Sequence, residues 1–175
     1  MIDPDASPLL FLDVDGPLIP FGPRPGGHRT YPQGPLPSGA GTHPLLARID
    51  PALGPLLGVL PCVLVWATTW ADEANTVVAP RLGLPVLDVV AWPDAPEEEE
   101  EEERDTRAGL HWKTRTLVDR AAGRAFVWVD DEIGEADRRW VAAHHGGPAL
   151  LHRVAPALGL TGDDLRLIGA WLRSV

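Results

Sequence analysis

Six polar residues closely follow apolar runs of the sequence, and their types are those of phosphate chemistry. They are two acids, two threonines and two further acids, namely Asp13 and Asp15, Thr68 and Thr69, and Asp130 and Asp131. Clustered carboxylates repel one another unless a cation binds, and all-oxygen ligands suit Mg²⁺ better than zinc or copper. Carboxylates, a metal, a hydroxyl and a lysine match the needs of phosphoryl transfer, which are charge neutralisation and an in-line nucleophile. The pattern therefore predicts a magnesium-assisted site for a phosphoryl group.

The lysine of this set is Lys113, the single lysine of the chain beside 14 arginines. A lysine supplies a compact point charge, whereas an arginine supplies a planar fork of donors. Each piece alone has an ordinary structural explanation, such as a turn for Asp-x-Asp-Gly, a helix cap for Asp-Asp or a surface position for the lysine. Their occurrence in order at strand ends favours the catalytic interpretation.

Alternating apolar and amphipathic segments provide the elements that must position these residues. The pattern predicts five strands, at Leu9–Leu12, Val63–Ala67, Pro85–Val90, Ala125–Val129 and Pro148–His152. Helical spacing occupies the intervals and the end of the chain, at His43–Leu57, Trp70–Leu82, Leu110–Ala122, Glu135–Ala143 and a last helix capped near Thr161. This alternation predicts a three-layer, Rossmann-like α/β fold with a mainly parallel five-stranded sheet. Ligands of such sheets bind at the carboxyl ends of the strands, where the polar residues lie.

Two segments interrupt the alternation. Residues 17–44 are rich in proline and glycine and predict a flap, which is either a lid over the end of the first strand or a surface excursion. Residues 92–108 contain seven consecutive glutamates, Glu97–Glu103, and predict a solvated acidic loop. Neither segment suits a large inserted domain, so we expect no cap or a minimal one.

Four motifs of the chain resemble those of the haloacid dehalogenase (HAD) superfamily, in the family's order. The first is Leu9-Leu-Phe-Leu-Asp-Val-Asp-Gly16, the second is Val63-Leu-Val-Trp-Ala-Thr68, the third is Lys113 and the fourth is Val127-Trp-Val-Asp-Asp131. More narrowly, Trp66-Ala-Thr-Thr-Trp70, His111-Trp-Lys-Thr114 and Trp128-Val-Asp-Asp-Glu132 are similar to small HAD domains associated with RNA-repair proteins. The resemblance spans residues 9–131, and the last predicted helix also fits the fold.

The resemblance implies a Mg²⁺-dependent phosphatase that forms an aspartyl-phosphate on Asp13. Asp15 would protonate the leaving oxygen and then deprotonate water, and an acid at this position favours phosphate chemistry over dehalogenation. Thr68, Thr69 and Lys113 would bind the phosphoryl group. The metal would be held by the Asp13 carboxylate, by the backbone carbonyl of Asp15 and by an acid of the fourth motif, Asp131 in the first place and Asp130 in the second.

Length and composition limit the classes of protein that the chain can represent. With 175 residues and 45% apolar residues, we expect a single hydrolase domain over residues 1–175. A formal net charge of −10 opposes non-specific binding to nucleic acid or anionic lipid. Cys62 is the single cysteine, the histidines lack zinc-site spacing, and no signal peptide or spanning segment is evident, so we expect a cytoplasmic protein.

The sequence leaves the substrate and the oligomeric state open. A phosphorylated small molecule or nucleotide fits an open site, and a nucleic-acid end fits it too, although the net charge does not favour this substrate. Arg24, Arg29 and Arg81 could contact a phosphate, and Trp70 could either stack on a substrate ring or pack in the core. An alternative function, from a different class, is that of a non-catalytic, metal-binding module whose acidic loop binds a basic partner.

Overall fold

The apolar runs form one sheet of five parallel strands in the order β3-β2-β1-β4-β5. The computed structural model describes residues 7–38, 43–93 and 103–175. The strands are β1 (Leu9–Leu12), β2 (Val63–Trp66), β3 (Asp88–Val89), β4 (Phe126–Asp130) and β5 (Ala149–Arg153). The chain builds one side of the sheet first and then returns to add β4 and β5 on the other side of β1. The change of direction between β1 and β4 is the position at which parallel sheets bind ligands.

Helices cover both faces of the sheet, as the predicted three-layer fold requires. They are α1 (Leu53–Gly58), α2 (Ala79–Leu82), α3 (Thr114–Ala121), α4 (Glu135–His144) and α5 (Gly162–Leu172), with a 3-10 helix at Pro44–Arg48 and a π-helical turn at Ala74–Val78 that leads into α2. Within the described residues, no helix combines the length and the apolar character needed to cross a lipid bilayer.

Side-chain alternation along the strands divides the core into two layers. Leu10 and Leu12 of β1 pack on the face that carries α1, α2 and α5. Leu9 and Phe11 pack on the opposite face, which carries α3 and α4. Because all four β1 side chains are at most 1% exposed, β1 is buried on both faces, as its uninterrupted apolar run predicts.

The register of the sheet brings the polar strand ends together. Leu12 pairs with Trp66 of β2 on one side and with Val129 of β4 on the other. The residues that follow these partners therefore meet at one edge, so that Asp13 lies beside Asp130. The backbone N–H of Asp13 donates to the carbonyl of Val129 at 3.0 Å, which extends the β1–β4 pairing into the site.

The helix predicted over His43–Leu57 is wrong as a single element. The chain forms the 3-10 helix, turns at Asp50, and only then starts α1. Proline disfavours the helical conformation of the residue before it, and Pro51 follows Asp50 directly. The Asp50 carboxylate instead accepts the Ala52 N–H at 2.9 Å and so stabilises the turn.

The predicted helix over Trp70–Leu82 starts four residues late. Ala71 has φ of +46°, which a right-handed helix cannot contain, and the π-helical turn begins at Ala74. The helix predicted over Leu110–Ala122 likewise begins only at Thr114, after the turn that carries Lys113. Both corrections lengthen the loops next to the site.

The two interruptions are only partly described. Residues 17–38 contain no helix, and the segment is tied to the body where Phe21 N–H donates to the Pro156 carbonyl at 2.9 Å and Tyr31 N–H donates to the Ala47 carbonyl at 2.8 Å. In the acidic segment, residues 94–102 lie outside the described residues, and with them most of the glutamate run. Its last member, Glu103, forms an exposed ion pair with Arg107 at 3.0 Å.

Candidate active site

Lys113 lies between two carboxylates at the carboxyl edge of the sheet. Its Nζ is 3.0 Å from Asp13 Oδ2 and 2.8 Å from Asp130 Oδ2. Asp130 is fully buried, and its carboxylate also accepts the Trp128 indole N–H at 3.3 Å and the Glu132 backbone N–H at 3.0 Å. The sequence-predicted acids of β1 and β4 and the lysine before α3 thus form one hydrogen-bonded cluster.

One ammonium does not balance the carboxylates of this cluster. Burial raises the pKa of Asp13 to about 7; Lys113 partly opposes this rise and Asp130 adds to it. Burial, followed by the charge of Asp130, also raises the pKa of Asp131. Burial alone would lower the pKa of Lys113, but the charges of Asp13 and Asp130 outweigh it and raise that pKa. The Lys113 ammonium therefore stays charged at neutral pH, with more than one carboxylate to neutralise.

The donor set fits a hard divalent cation. Asp13, Asp130 and Asp131 offer carboxylate oxygens that lie within 4.8 Å of one another. Three carboxylates against one ammonium leave two negative charges, which one Mg²⁺ would neutralise, and oxygen donors are the ligands that Mg²⁺ prefers. The Asp130 oxygens already accept three donors, which favours Asp131 over Asp130 as the direct ligand.

Gly16 makes room for Asp131. It has φ of +89°, and a Cβ at this position would lie 2.7 Å from the Asp131 carboxylate carbon. Any side chain here would be strained by its backbone and would displace the acid. The glycine of the Asp-x-Asp-Gly motif is therefore required by a contact with the fourth motif.

Trp70 holds the second acid of the first motif. Its indole N–H donates to Asp15 Oδ2 at 2.9 Å, and its backbone N–H donates to the Thr68 hydroxyl at 3.2 Å. The Trp70 ring is half-buried against the core, which is the packing alternative left open by the sequence. Thr68 is fully buried and Thr69 is exposed, so only the second threonine lies open to solvent.

The architecture and the order of these groups agree with a known family. The family model of the HAD domain in Swiss Army Knife RNA repair proteins matches residues 9–165. The chain belongs to this family. No curated protein and no solved structure matches the chain.

Membership of the HAD family indicates a hydrolase of the phosphatase type, and HAD domains generally use Mg²⁺. The match extends from the first residue of β1 into α5, so it includes all five strands. It therefore supports the resemblance that the four motifs predict. Cys62 offers no rival nucleophile in this HAD domain, because burial raises the pKa of its thiol to about 12.

Residues that were not predicted from the sequence stabilise the turn of the HAD site that carries Lys113. Asp137, only 1% exposed, accepts the His111 backbone N–H at 2.8 Å, the Thr114 hydroxyl at 2.6 Å and the Gly134 N–H at 2.7 Å. It thereby ties the first turn of α4 to the turn that carries Lys113. The sequence did carry a signal for Asp137, because an acid at the third position of a predicted helix is a helix-capping pattern.

His111 lies in the same turn of the HAD domain. Its Nδ1 accepts the Lys113 backbone N–H at 3.1 Å, and its Nε2 lies 3.1 Å from Glu132 Oε2. No role could be predicted for this histidine, because nothing in its spacing marks a contact with residue 132. The imidazole fixes the backbone of the lysine and adds a nitrogen donor near Asp130.

The arginines proposed for phosphate contacts differ in position. Arg24 is half-buried, its Nη1 lies 3.4 Å from the Ala157 carbonyl, and Arg29 is exposed on the flap. Arg81 is only 7% exposed and its guanidinium donates to the Val77 carbonyl of the preceding turn. The prediction that Arg81 contacts a phosphate is wrong, because this side chain is packed against its own helix.

Proposed function

We propose that this protein is a Mg²⁺-dependent phosphatase that hydrolyses phosphomonoesters through an aspartyl-phosphate on Asp13. The observation that carries the proposal is the buried Asp13 carboxylate, 3.0 Å from Lys113 Nζ, with Asp15 two residues further on and Asp131 beside it. This arrangement combines a nucleophile, a fixed cation, an acid and a set of metal ligands at the carboxyl edge of the sheet.

The two steps are assigned to residues of the chain itself. In the first step an Asp13 carboxylate oxygen forms a bond to phosphorus while the ester P–O bond breaks, and Asp15 gives its proton to the leaving oxygen. In the second step Asp15 accepts a proton from a water molecule whose oxygen bonds to phosphorus. The bond between Asp13 and phosphorus then breaks, which returns the carboxylate and releases inorganic phosphate.

Fixed charge supports both steps. Lys113 neutralises negative charge on the phosphoryl oxygens, and Thr69 provides an exposed hydroxyl group at the end of β2, next to the buried hydroxyl of Thr68. Mg²⁺ would be held by Asp13, Asp131 and the backbone carbonyl of Asp15, with Asp130 as the alternative acid, and would supply further charge neutralisation.

Phosphate release from an aryl phosphate with Mg²⁺ tests the proposal. We expect Asp13→Asn to lower kcat by about 10³-fold or more, because an amide is not a nucleophile at phosphorus. Asp163→Asn is the matched control, because it makes the same change in charge on the exposed side of α5 and should leave kcat unchanged. Equal rates for the wild type and Asp13→Asn would refute the enzymatic proposal and support the non-catalytic module.

The role of Asp15 has a separate signature. An aryl oxide leaves without a proton, so Asp15→Asn should slow the second step more than the first with an aryl phosphate. Radiolabelled substrate should then leave acid-stable label on the Asp15→Asn chain and none on Asp13→Asn. With an alkyl phosphate, which needs the proton, the first step should slow as well, by about 10²-fold or more. Absence of label from every variant would contradict the covalent step.

Membership of an RNA-repair HAD family favours one second candidate, a phosphatase for polynucleotide ends. A comparison of kcat/KM for a 3′-phosphorylated oligoribonucleotide and for the matching mononucleotide decides between the two substrate classes. A higher value for the oligonucleotide would support the repair reaction. Equal values would favour a small phosphorylated substrate, in agreement with the net charge of −10.

A further inference from the structure

A cavity of about 510 Å³ lies on the α3–α4 side of the sheet, and its lining includes Trp112, the residue directly before Lys113. Three indole rings line it, those of Trp92, Trp112 and Trp140. This volume is within the usual range for small-molecule sites. Each of the three rings is half-buried. His111 stacks on Trp112 and His144 stacks on Trp140, with ring centres 5.6 Å and 4.1 Å apart, so each of these two indoles has at most one further face for a ligand.

Two of the rings are attached to the catalytic elements. The Trp92 indole N–H donates to the Thr68 backbone carbonyl at 3.1 Å. Trp112 directly precedes Lys113, whose Nζ lies 5.5 Å from the centre of the Trp112 ring. The same Nζ is 3.0 Å from Asp13 Oδ2, so a single ammonium links the nucleophile to the aromatic wall.

The walls of the cavity are held by their own contacts. Trp92 and Trp112 meet edge to face, with ring centres 4.7 Å apart. The Arg115 guanidinium lies 5.1 Å from the Trp140 ring centre, and its Nε–H donates a hydrogen bond to Asp105 Oδ2 at 2.6 Å. A cavity with such a wall can receive a ring at little cost in side-chain ordering.

Indole faces bind flat rings by stacking, and this interaction needs no charge on the ligand. A neutral ring therefore suits a chain with a net charge of −10, whereas a second phosphate would be repelled. Thr116 and Asp119 add hydrogen-bonding groups to the lining, which match the polar edge of a nucleobase better than that of a plain phenyl ring.

We propose that this cavity is the subsite for the nucleobase of a phosphorylated nucleoside whose phosphate lies at Asp13 and Lys113. The inference rests on the proposed phosphatase function, since that function places the phosphate. The substrate would thus be a nucleotide, free or at the end of a chain, and a sugar phosphate without a base would be a poor substrate.

The test compares each nucleoside monophosphate, phosphorylated at the 5′ or the 3′ position, with the corresponding ribose phosphate that lacks the base. In the wild type we expect kcat/KM to favour the nucleotide of the preferred position by about tenfold or more, the usual gain from stacking one base. Trp112→Ala should bring this ratio close to one, and Trp112→Phe should retain most of it. The ratio is the measured quantity because Trp112 also contacts Lys113, whose displacement would slow both substrates alike.

Trp171→Ala is the matched control, because Trp171 is a half-buried indole on α5 that packs against the other core layer. This variant should keep the wild-type ratio. Equal kcat/KM for nucleotide and ribose phosphate in the wild type would overturn the inference, and so would a ratio that Trp112→Ala leaves unchanged. In either case the proposed phosphatase function would still stand.

A binding measurement tests the nucleobase subsite independently of the phosphatase proposal. Calorimetric titration of Asp13→Asn with a nucleoside monophosphate should give a Kd that is about tenfold lower than for Asp13→Asn combined with Trp112→Ala. This difference in a chain that hydrolyses nothing would support the subsite even if the phosphatase proposal failed. Equal affinities would overturn the subsite.

Discussion

Replacement of Lys113 by methionine removes the one ammonium that the site offers to its buried carboxylates. Methionine has a similar length, so the change tests charge with little change of shape. The Lys113 side chain is only 4% exposed, and both of its partners, Asp13 and Asp130, are buried. Without Mg²⁺, the two acids would then face each other and Asp131 without a cation. We expect the native state to lose stability by the amount typical of a broken buried ion pair, about 3–5 kcal/mol.

The pH dependence of this loss follows from Asp13. In the metal-free wild type, burial raises the pKa of Asp13 to about 7, whereas the pKa of this group in the unfolded chain is about 4. The contribution of Asp13 to stability therefore falls as the pH rises from about 4 to about 7 and is constant above that range. Without Lys113 this pKa moves higher still. The folded variant therefore keeps losing stability above pH 7, by about 1.4 kcal/mol per pH unit relative to the wild type.

Urea unfolding followed by tryptophan fluorescence at pH 6, 7 and 8, in the presence of a chelator, measures both effects. Arg120→Met is the control, because it removes an exposed cation that is paired with Asp88. We expect this control to cost less than about 1 kcal/mol at every pH. A loss for Lys113→Met as small as that of the control, or one that is constant from pH 6 to 8, would refute the view that the lysine compensates buried charge.

Four further outcomes are expected. Trp70→Phe removes the indole N–H that donates to Asp15. This variant should lower kcat about tenfold and shift the pH profile of kcat, with KM unchanged. An unchanged profile would contradict a positioning role for Trp70. Asp137→Asn should cost about 2–3 kcal/mol in urea unfolding, since three donors lose a charged acceptor, and a loss below about 0.5 kcal/mol would argue against this. Gly54→Ala should lower the free energy of unfolding by about 1–3 kcal/mol, because the new Cβ would overlap the Leu82 carbonyl of α2. Gly58→Ala in the same helix is the control, because its Cβ meets no atom and should leave the free energy of unfolding unchanged. Equal losses for the two variants would contradict the tight helix contact. Mg²⁺ should raise Tm more at pH 8 than at pH 5.5, because Asp13 must lose its proton to bind metal, and equal shifts would contradict its place among the ligands.

The carboxyl edge of the sheet could be predicted because its placement depends on local patterns. An uninterrupted apolar run such as Leu9–Leu12 indicates a strand buried on both faces, and parallel strands bring their polar ends to one edge. The neighbouring positions of Asp13 and Asp130 follow from that rule together with the register. The sequence also marked Lys113, because a lysine is exceptional in a chain that otherwise uses arginine.

Contacts between residues distant in the chain could not be predicted in the same way. The Trp70–Asp15 hydrogen bond and the bonds of His111 and Thr114 to Asp137 depend on tertiary packing that leaves no periodic signal. The broken helix before α1 was a different kind of error, because apolar spacing at Leu45, Leu46 and Ile49 outweighed the warning from Pro51. The identity of the substrate likewise depends on the shape of a cavity and not on a motif.

The burial of Lys113 also makes this residue a reporter of native-state opening. No other lysine side chain occurs in the sequence, so an amine-reactive reagent has a single side-chain target. The amine is protected while it pairs with Asp13 and Asp130, so its labelling reports the opening of these two contacts. Where reclosing is faster than modification, the rate at which Lys113 is labelled gives the free energy of this local opening. Additional protection of the amine by Mg²⁺ would then measure how strongly the ion stabilises the closed cluster.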